Sequence, residues 1–159
     1  VAAPIRDCER LAFDALSIEI LHTPGHSSDS LTFIAAHGGE RAVITGDTIL
    51  GRGSTVVEYP DGTLAEYLAS LERIGCYGEV VVLPGHGPVG QTAQQRATEL
   101  LAHRRERLDQ VIAAWQRGLR DVAGITAAIY VDAPADVQWA ARLNVEAQLD
   151  YLRAAGRIA

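Results

Sequence analysis

The sequence contains no methionine and no lysine, so all 14 of its basic residues are arginine. We interpret the lack of lysine as a compositional bias, and the lack of methionine as compatible with a chain that begins partway through a longer protein. Long apolar runs are also missing, and none approaches the roughly 20 residues that a membrane-spanning helix needs. Since the chain has 159 residues, 48% of them hydrophobic, we expect a soluble globular protein with no membrane partner.

Cysteine is scarce as well. The two cysteines, Cys8 and Cys76, lie far apart and form no C-x-x-C motif. A pair of free thiols is typical of a protein in a reducing compartment. We therefore expect both thiols to be free and the protein to be cytoplasmic.

The net charge of −6 excludes a basic nucleic-acid footprint over the chain as a whole. The charge is uneven, because residues 1–95 carry 5 arginines and 12 acidic residues whereas residues 96–159 carry 9 arginines and 8 acidic residues. Only the C-terminal third is therefore a candidate for binding an anionic polymer.

The first 90 residues alternate between apolar segments and turns rich in glycine and proline. Period-two patterns predict strands, either as a hairpin or as one long strand before His22, and Thr63 is a candidate N-cap for an amphipathic helix. The expected strands and helix lie at residues 11–22, 31–36, 41–45, 64–74 and 80–83. Residues 1–90 are therefore expected to be a mixed α/β region.

The pattern changes near residue 91. A long helix is expected to end at Gly118, and Asp121 is a candidate cap for a short helix that reaches Tyr130. One or two further helices are expected over 135–155. We therefore place a boundary between residues 1–90 and a helical region over residues 91–159.

Three loops each follow an expected strand, and each presents a candidate metal ligand. These ligands are His26 in Thr-Pro-Gly-His-Ser, Asp47 after Gly46, and His86 in Pro-Gly-His-Gly-Pro. Strands fix the position of such loops while the loops leave an open face, and imidazole and carboxylate groups suit a catalytic Zn²⁺.

These three motifs, in this order, resemble the third, fourth and fifth motifs of the metallo-β-lactamase superfamily. The stretch from His103 to Arg107 and the tail from Ala141 to Ile158 resemble its β-lactamase-like protein 2 branch. The resemblance covers essentially the whole chain. It implies an α/β fold, with the C-terminal half of a metallo-β-lactamase αββα sandwich in residues 1–90. A long helix and a winged-helix-like helical region would follow in residues 91–159.

By this resemblance, His26 binds one zinc ion, Asp47 bridges two zinc ions and is the catalytic residue, and His86 binds the second ion. The implied cofactors are two zinc ions, which lower the pKa of a water that attacks a carbonyl or phosphorus centre. The implied function is zinc-dependent hydrolysis of an ester, thioester or phosphodiester, with a small molecule or RNA as substrate.

The family's first motif, H-x-H-x-D-H, is absent from this sequence. None of the five histidines lies two positions from another. We therefore expect the chain to be a fragment that is inactive or nearly so alone, with partial or no zinc occupancy. A missing N-terminal half would expose strand edges and core surface, so we also expect a homodimer or strand exchange.

Several further side chains are candidates for roles beside the ligands. Ser27 and Asp29 either support the ligand groups or cap their loop, and Thr48, together with Thr45, is expected to hydrogen-bond the Asp47 carboxylate.

Tyr59 is a candidate lining residue of a substrate pocket. For His103 we favour packing or a salt bridge over a substrate contact. His22 is expected to be structural, and His37 to be a solvated turn residue.

Two alternative functions remain at this point. The first is a nucleic-acid-binding winged-helix module, which Glu146 and Asp150 disfavour because they would face phosphate. Arg104, Arg105 and Arg107 form either a solvated helix face, which we favour, or a stripe that contacts phosphate. The second alternative is a non-catalytic interaction fragment.

Overall fold

The computed structural model describes residues 4–159. Five strands and four α-helices follow one another along this part of the chain. The strands are β1 (Arg10–Phe13), β2 (Leu16–His22), β3 (Leu31–His37), β4 (Glu40–Gly46) and β5 (Val81–Pro84). The helices are α1 (Leu64–Gly75), α2 (Ala93–Gln116), α3 (Val122–Ile129) and α4 (Gln138–Ala154), with a short 3₁₀ helix at Ala135–Val137.

The strands form one sheet in the order β1-β2-β3-β4-β5. The first four strands are antiparallel neighbours, whereas β5 runs parallel to β4 after the crossover through α1. Strands β2, β4 and β5 therefore run in the same direction, and their carboxyl ends meet at one edge of the sheet. The loops that hold His26, Asp47 and His86 all leave from this edge.

One face of the sheet packs against the helices. Alternate residues of a strand point to opposite faces, and the residues on the inner face are buried in the core with α1 and α2. The inner-face core residues are Leu21, Ile34, Val43 and Val82. Helix α1 begins at the expected N-cap, because the Thr63 side chain accepts a hydrogen bond from the Glu66 backbone N–H.

The opposite face carries a second apolar row. The strand register places Ile20, Phe33, Ile44 and Leu83 side by side across β2 to β5. Ile44 is 38% exposed, and Phe33 and Leu83 are half-buried. This outer face is therefore apolar without being fully covered.

The C-terminal part of the chain is helical, as expected. Helix α2 begins with a capping box formed by Thr92 and Gln95, and α3 is capped by Asp121. No strand follows β5 in residues 85–159, so the region has no β-wing and the winged-helix part of the prediction is not confirmed. A single hydrophobic cluster joins the helices to the sheet, and the division near residue 90 stays a prediction.

Both cysteines are free, as predicted, and both are exposed. Within the described part of the chain, no helix combines the length and the apolar character needed to cross a bilayer.

Candidate functional site

The loop after β2 presents His26 from a tightly packed position. Gly25 has a φ of 134°, and a Cβ atom there would lie 2.3 Å from the Tyr67 Cα of helix α1. The Ser70 hydroxyl of the same helix donates a hydrogen bond of 2.7 Å to the Pro24 carbonyl. The loop therefore lies against α1 at a distance that only glycine allows.

The His26 imidazole is held through its Nδ1 atom. Its Nδ1 lies 2.7 Å from the Val56 carbonyl oxygen and 3.3 Å from the Thr55 hydroxyl. Because a carbonyl oxygen can only accept, this contact favours the neutral tautomer that has its proton on Nδ1 and its lone pair on Nε2. Histidines that bind metals are commonly held this way through the other ring nitrogen. The nearest carboxylate oxygen to Nε2 is Glu58 Oε1, at 3.8 Å.

Asp47 follows β4 and has one oxygen that lacks a partner. The side chain as a whole is partly exposed, but Oδ1 is buried and accepts no hydrogen bond from residues 4–159. Gly85 makes room for it, since a Cβ atom at that position would lie 3.1 Å from Oδ1. A buried carboxylate oxygen without a hydrogen bond is costly, so a cation or a hydrogen-bond donor beside this atom would stabilise it.

His86 brings its Nε2 to 3.5 Å from Asp47 Oδ1. Two ligands of a tetrahedral zinc ion at ordinary bond lengths are about 3.4 Å apart. The side chain is 78% exposed, and the Gly51 backbone N–H donates to the His86 carbonyl at 2.9 Å. Asp47 and His86 thus have the separation of two groups that share an ion.

His26 does not complete a cluster with this pair. Across the described residues, no group of three or more histidine, cysteine, aspartate or glutamate side chains is arranged to hold a metal ion. The sheet explains the difference, because β4 and β5 are adjacent whereas β2 lies two strands from β4, about 9–10 Å away. The structure brings together Asp47 and His86, and places His26 at the same edge but further off.

The other predicted site residues make mostly local contacts. The Ser27 hydroxyl donates to Asp29 at 2.8 Å within its own loop. The hydrogen bonds expected from the two threonines to Asp47 are not formed. The Thr45 hydroxyl donates to the Ile49 carbonyl at 2.8 Å, and the Thr48 hydroxyl lies 3.5 Å from that of Thr23.

Tyr59 and His103 lie against the C-terminal helices. The Tyr59 hydroxyl donates to Asp150 at 3.3 Å, and the negative charge of Asp150 raises the pKa of Tyr59. His103 lines a cavity of about 410 Å³ together with Ser54 and Arg107. Burial lowers the pKa of His103, and the nearby arginines lower it further, so this imidazole is neutral near pH 7.

The arginine cluster of α2 does not form one surface. Arg104 is 1% exposed, so it belongs neither to a solvated helix face nor to a stripe that could contact phosphate. Arg105 is exposed, and the Arg107 guanidinium stacks 4.9 Å above the Tyr130 ring. The three side chains have different surroundings, so no continuous stripe for phosphate exists here.

The sequence did not predict the buried hydrogen bond between Arg104 and Asn144. Arg104 occupies a core position of α2, between Leu100 and Leu108 in the apolar stripe. Its spacing in that stripe was the signal that could have identified it. Nothing in the sequence identifies Asn144 of α4 as its partner.

Comparisons with known proteins agree on one family. A sequence model described as the metallo-beta-lactamase superfamily matches residues 6–86. The Beta-lactamase-like protein 2 homolog of Caenorhabditis elegans is 32% identical over 149 residues, covering 93% of this chain and 48% of that protein. An atrochrysone carboxyl ACP thioesterase of Aspergillus fumigatus is 33% identical over 145 residues, covering 84% of this chain and 44% of that protein.

A solved structure is similar as well. A metallo-beta-lactamase family protein of Thermus thermophilus matches with a TM-score of 0.81 at 29% identity, covering 96% of this chain and 49% of that chain. The chain therefore spans about half the length of the curated relatives it matches.

Proposed function

Because this chain belongs to the metallo-β-lactamase superfamily, we propose that it contributes His26, Asp47 and His86 to the zinc site of a metal-dependent hydrolase. The observation that carries the proposal is the buried Asp47 Oδ1, which lacks a partner in the described chain and lies 3.5 Å from His86 Nε2. A zinc ion shared by these two groups would compensate the unpaired oxygen.

The three side chains have distinct tasks in this proposal. When bound, zinc supplies a Lewis acid that lowers the pKa of water and stabilises negative charge on a carbonyl oxygen. Asp47 supplies negative charge, and the adjacent strands β4 and β5 fix its distance from His86. His26 supplies the lone pair of Nε2, because Val56 holds the proton on Nδ1.

We propose that the chain alone binds one zinc ion weakly and has little or no hydrolytic activity. Three ligands do not complete the coordination of two ions, since zinc in proteins is almost always at least four-coordinate. The second ion of the expected pair would need ligands beyond His26, Asp47 and His86.

As substrate we favour a thioester. A relative that is 33% identical is named as an acyl-carrier-protein thioesterase, and the arginines of α2 do not line one surface that could follow a nucleic-acid backbone.

Zinc titration of the metal-free 159-residue chain tests the ligand assignment. We expect one ion to bind, and Asp47→Asn and His86→Gln each to weaken it by at least about 10-fold, as ligand-shell changes commonly do. The structure places His37 at the exposed last residue of β3 rather than in the turn that the sequence suggested. His37→Gln is the matched control and should bind zinc as the wild type does. Unchanged affinity in both ligand variants would contradict the site.

A thioester hydrolysis assay on the zinc-loaded chain tests the inactivity separately. We expect no turnover above the rate of free zinc. Metal-dependent turnover that Asp47→Asn abolishes would show that the chain is active without further ligands.

A further inference from the structure

Arg104 is a buried cation without an anionic partner. Its side chain is among the largest that are fully buried, with 1% exposure, and it forms no ion pair with a carboxylate of residues 4–159. Burying a lone charge is costly unless hydrogen bonds compensate it. A residue this costly in the core of α2 calls for a reason other than packing.

The guanidinium compensates part of its burial by binding two neutral acceptors and an aromatic ring, while its buried Nε–H has no partner among residues 4–159. Nη2 donates to the Thr55 carbonyl at 2.6 Å, and Nη1 donates to Asn144 Oδ1 at 3.0 Å. The guanidinium carbon lies 4.9 Å from the centre of the Tyr67 ring, a cation–π contact. Burial raises the pKa of Tyr67, so its phenol stays neutral and supplies no counter-charge.

These contacts hold a short backbone segment at both of its ends. Thr55 is bound directly by Arg104, and the Val57 backbone N–H donates to the same Asn144 oxygen at 3.3 Å. Between them lies Val56, whose carbonyl accepts the Nδ1 proton of His26 at 2.7 Å. A chain of contacts therefore runs from helices α2 and α4 to the imidazole.

We propose that Arg104 is a positioning residue for His26. By fixing segment 55–57, it keeps the Val56 carbonyl on Nδ1, so that the lone pair of Nε2 is presented at the sheet edge where Asp47 and His86 lie. The step from the lone pair to zinc affinity rests on the proposed function, whereas the control of the tautomer does not.

The proposal depends on the shape of the side chain as well as its charge. A guanidinium is a planar fork that donates in two fixed directions, whereas a lysine ammonium is a point charge on a flexible stem. Arg104→Lys keeps the charge and loses the fork, and Arg104→Met loses both. Arg105→Met changes the neighbouring, exposed arginine of the same helix and is the matched control.

The first readout is the tautomer of His26 in the metal-free chain, measured by long-range ¹H–¹⁵N NMR of the imidazole rings. The His26 signals are assigned by their loss in His26→Gln. We expect one Nδ1–H tautomer in the wild type and in Arg105→Met. In Arg104→Met and Arg104→Lys we expect a mixture in which the Nε2–H form has become substantial.

The second readout is zinc affinity, which we expect to fall by about 10- to 100-fold in both Arg104 variants, as for other changes behind a metal-binding histidine. Far-ultraviolet circular dichroism shows whether each variant is folded. Should Arg104→Met not fold, Asn144→Ala decides the question, because it removes the acceptor that joins Arg104 to Val57 and leaves the arginine in place.

The proposal is overturned if folded Arg104→Met or Asn144→Ala keeps the single Nδ1–H tautomer of the wild type. The claim that the planar guanidinium is required is overturned if Arg104→Lys matches the wild type in both readouts. If the tautomer shifts while the wild type itself binds no zinc, the positioning role stands and the proposed zinc site fails.

Discussion

Gly25→Ala tests whether the close packing of the His26 loop on α1 is required. The added Cβ atom would lie 2.3 Å from Tyr67 Cα and 2.4 Å from Tyr67 N. Both are backbone atoms that cannot turn away, so the loop has to move by roughly 1 Å to restore ordinary van der Waals contact. The φ of 134° adds strain, since residues other than glycine rarely adopt this backbone angle.

The two costs can be estimated and separated. Overpacking costs about 1–3 kcal/mol, and a disfavoured backbone conformation costs about 1–3 kcal/mol. Gly90→Ala is the matched control, because Gly90 has a similar φ of 146° and nothing within 4 Å of its would-be Cβ. The control should carry only the backbone cost, so we expect Gly25→Ala to be less stable than Gly90→Ala by about 1–3 kcal/mol.

Urea and thermal unfolding measure the effect. A total loss near 4 kcal/mol lowers Tm by about 8–16 °C in a chain of this size. In folded Gly25→Ala, displacement of the loop should also weaken zinc binding, whereas Gly90→Ala should leave it unchanged. Equal stability of the two variants would refute the packing argument.

Three further outcomes are expected. Gln148→Leu should stabilise the chain by about 1–2 kcal/mol in urea unfolding, because both amide atoms of this buried side chain lack partners in the described chain; a loss of stability would show that the amide is satisfied. The hydrogen bond from Arg73 lowers the pKa of Asp7 below its usual 3.8, so its stabilising effect is present above that value and disappears as pH falls through the lowered pKa. Asp7→Asn should therefore be less stable than the wild type near pH 7 and equally stable below both pKa values, and a difference that persists in acid would contradict this. We expect the wild type to form a concentration-dependent dimer in sedimentation equilibrium, and Ile44→Glu, on the apolar outer face of the sheet, to make it monomeric. Val131→Glu, at a residue that lies elsewhere and is 74% exposed, should leave the dimer intact. A wild type that is monomeric at every concentration would contradict this expectation.

The family, the branch and the α/β fold were predictable from the sequence, and the matches confirm all three. Their signals are local, because proline and glycine around His26 and His86 mark sharp turns at strand ends. The expected helices and the N-cap at Thr63 follow from the same kind of short-range pattern.

The rest depends on contacts between distant parts of the chain. The link from Arg104 to Thr55 spans 49 positions, and the link from Val57 to Asn144 spans 87. No short-range pattern predicts such pairs. Because Arg104 is charged, its position in an apolar stripe of α2 did not lead to a prediction that it is buried. The expected hydrogen bonds from Thr45 and Thr48 to Asp47 are not formed because other groups bind the two hydroxyls. Thr45 donates to the Ile49 carbonyl four positions along the chain, and Thr48 lies against the distant Thr23.

Strand β3 supplies no ligand to the proposed zinc site, but it lies between β2 and β4 and would set how well that site accepts ions of different radius. Asp47 and His86 follow the paired strands β4 and β5, so the distance between these two side chains should stay nearly fixed. His26 lies on the loop between β2 and β3. This loop can move towards or away from Asp47 and His86 without disrupting the sheet. Replacing a small ion by a larger one should therefore be accommodated by residues 23–30, while the carboxylate and the second imidazole keep their spacing.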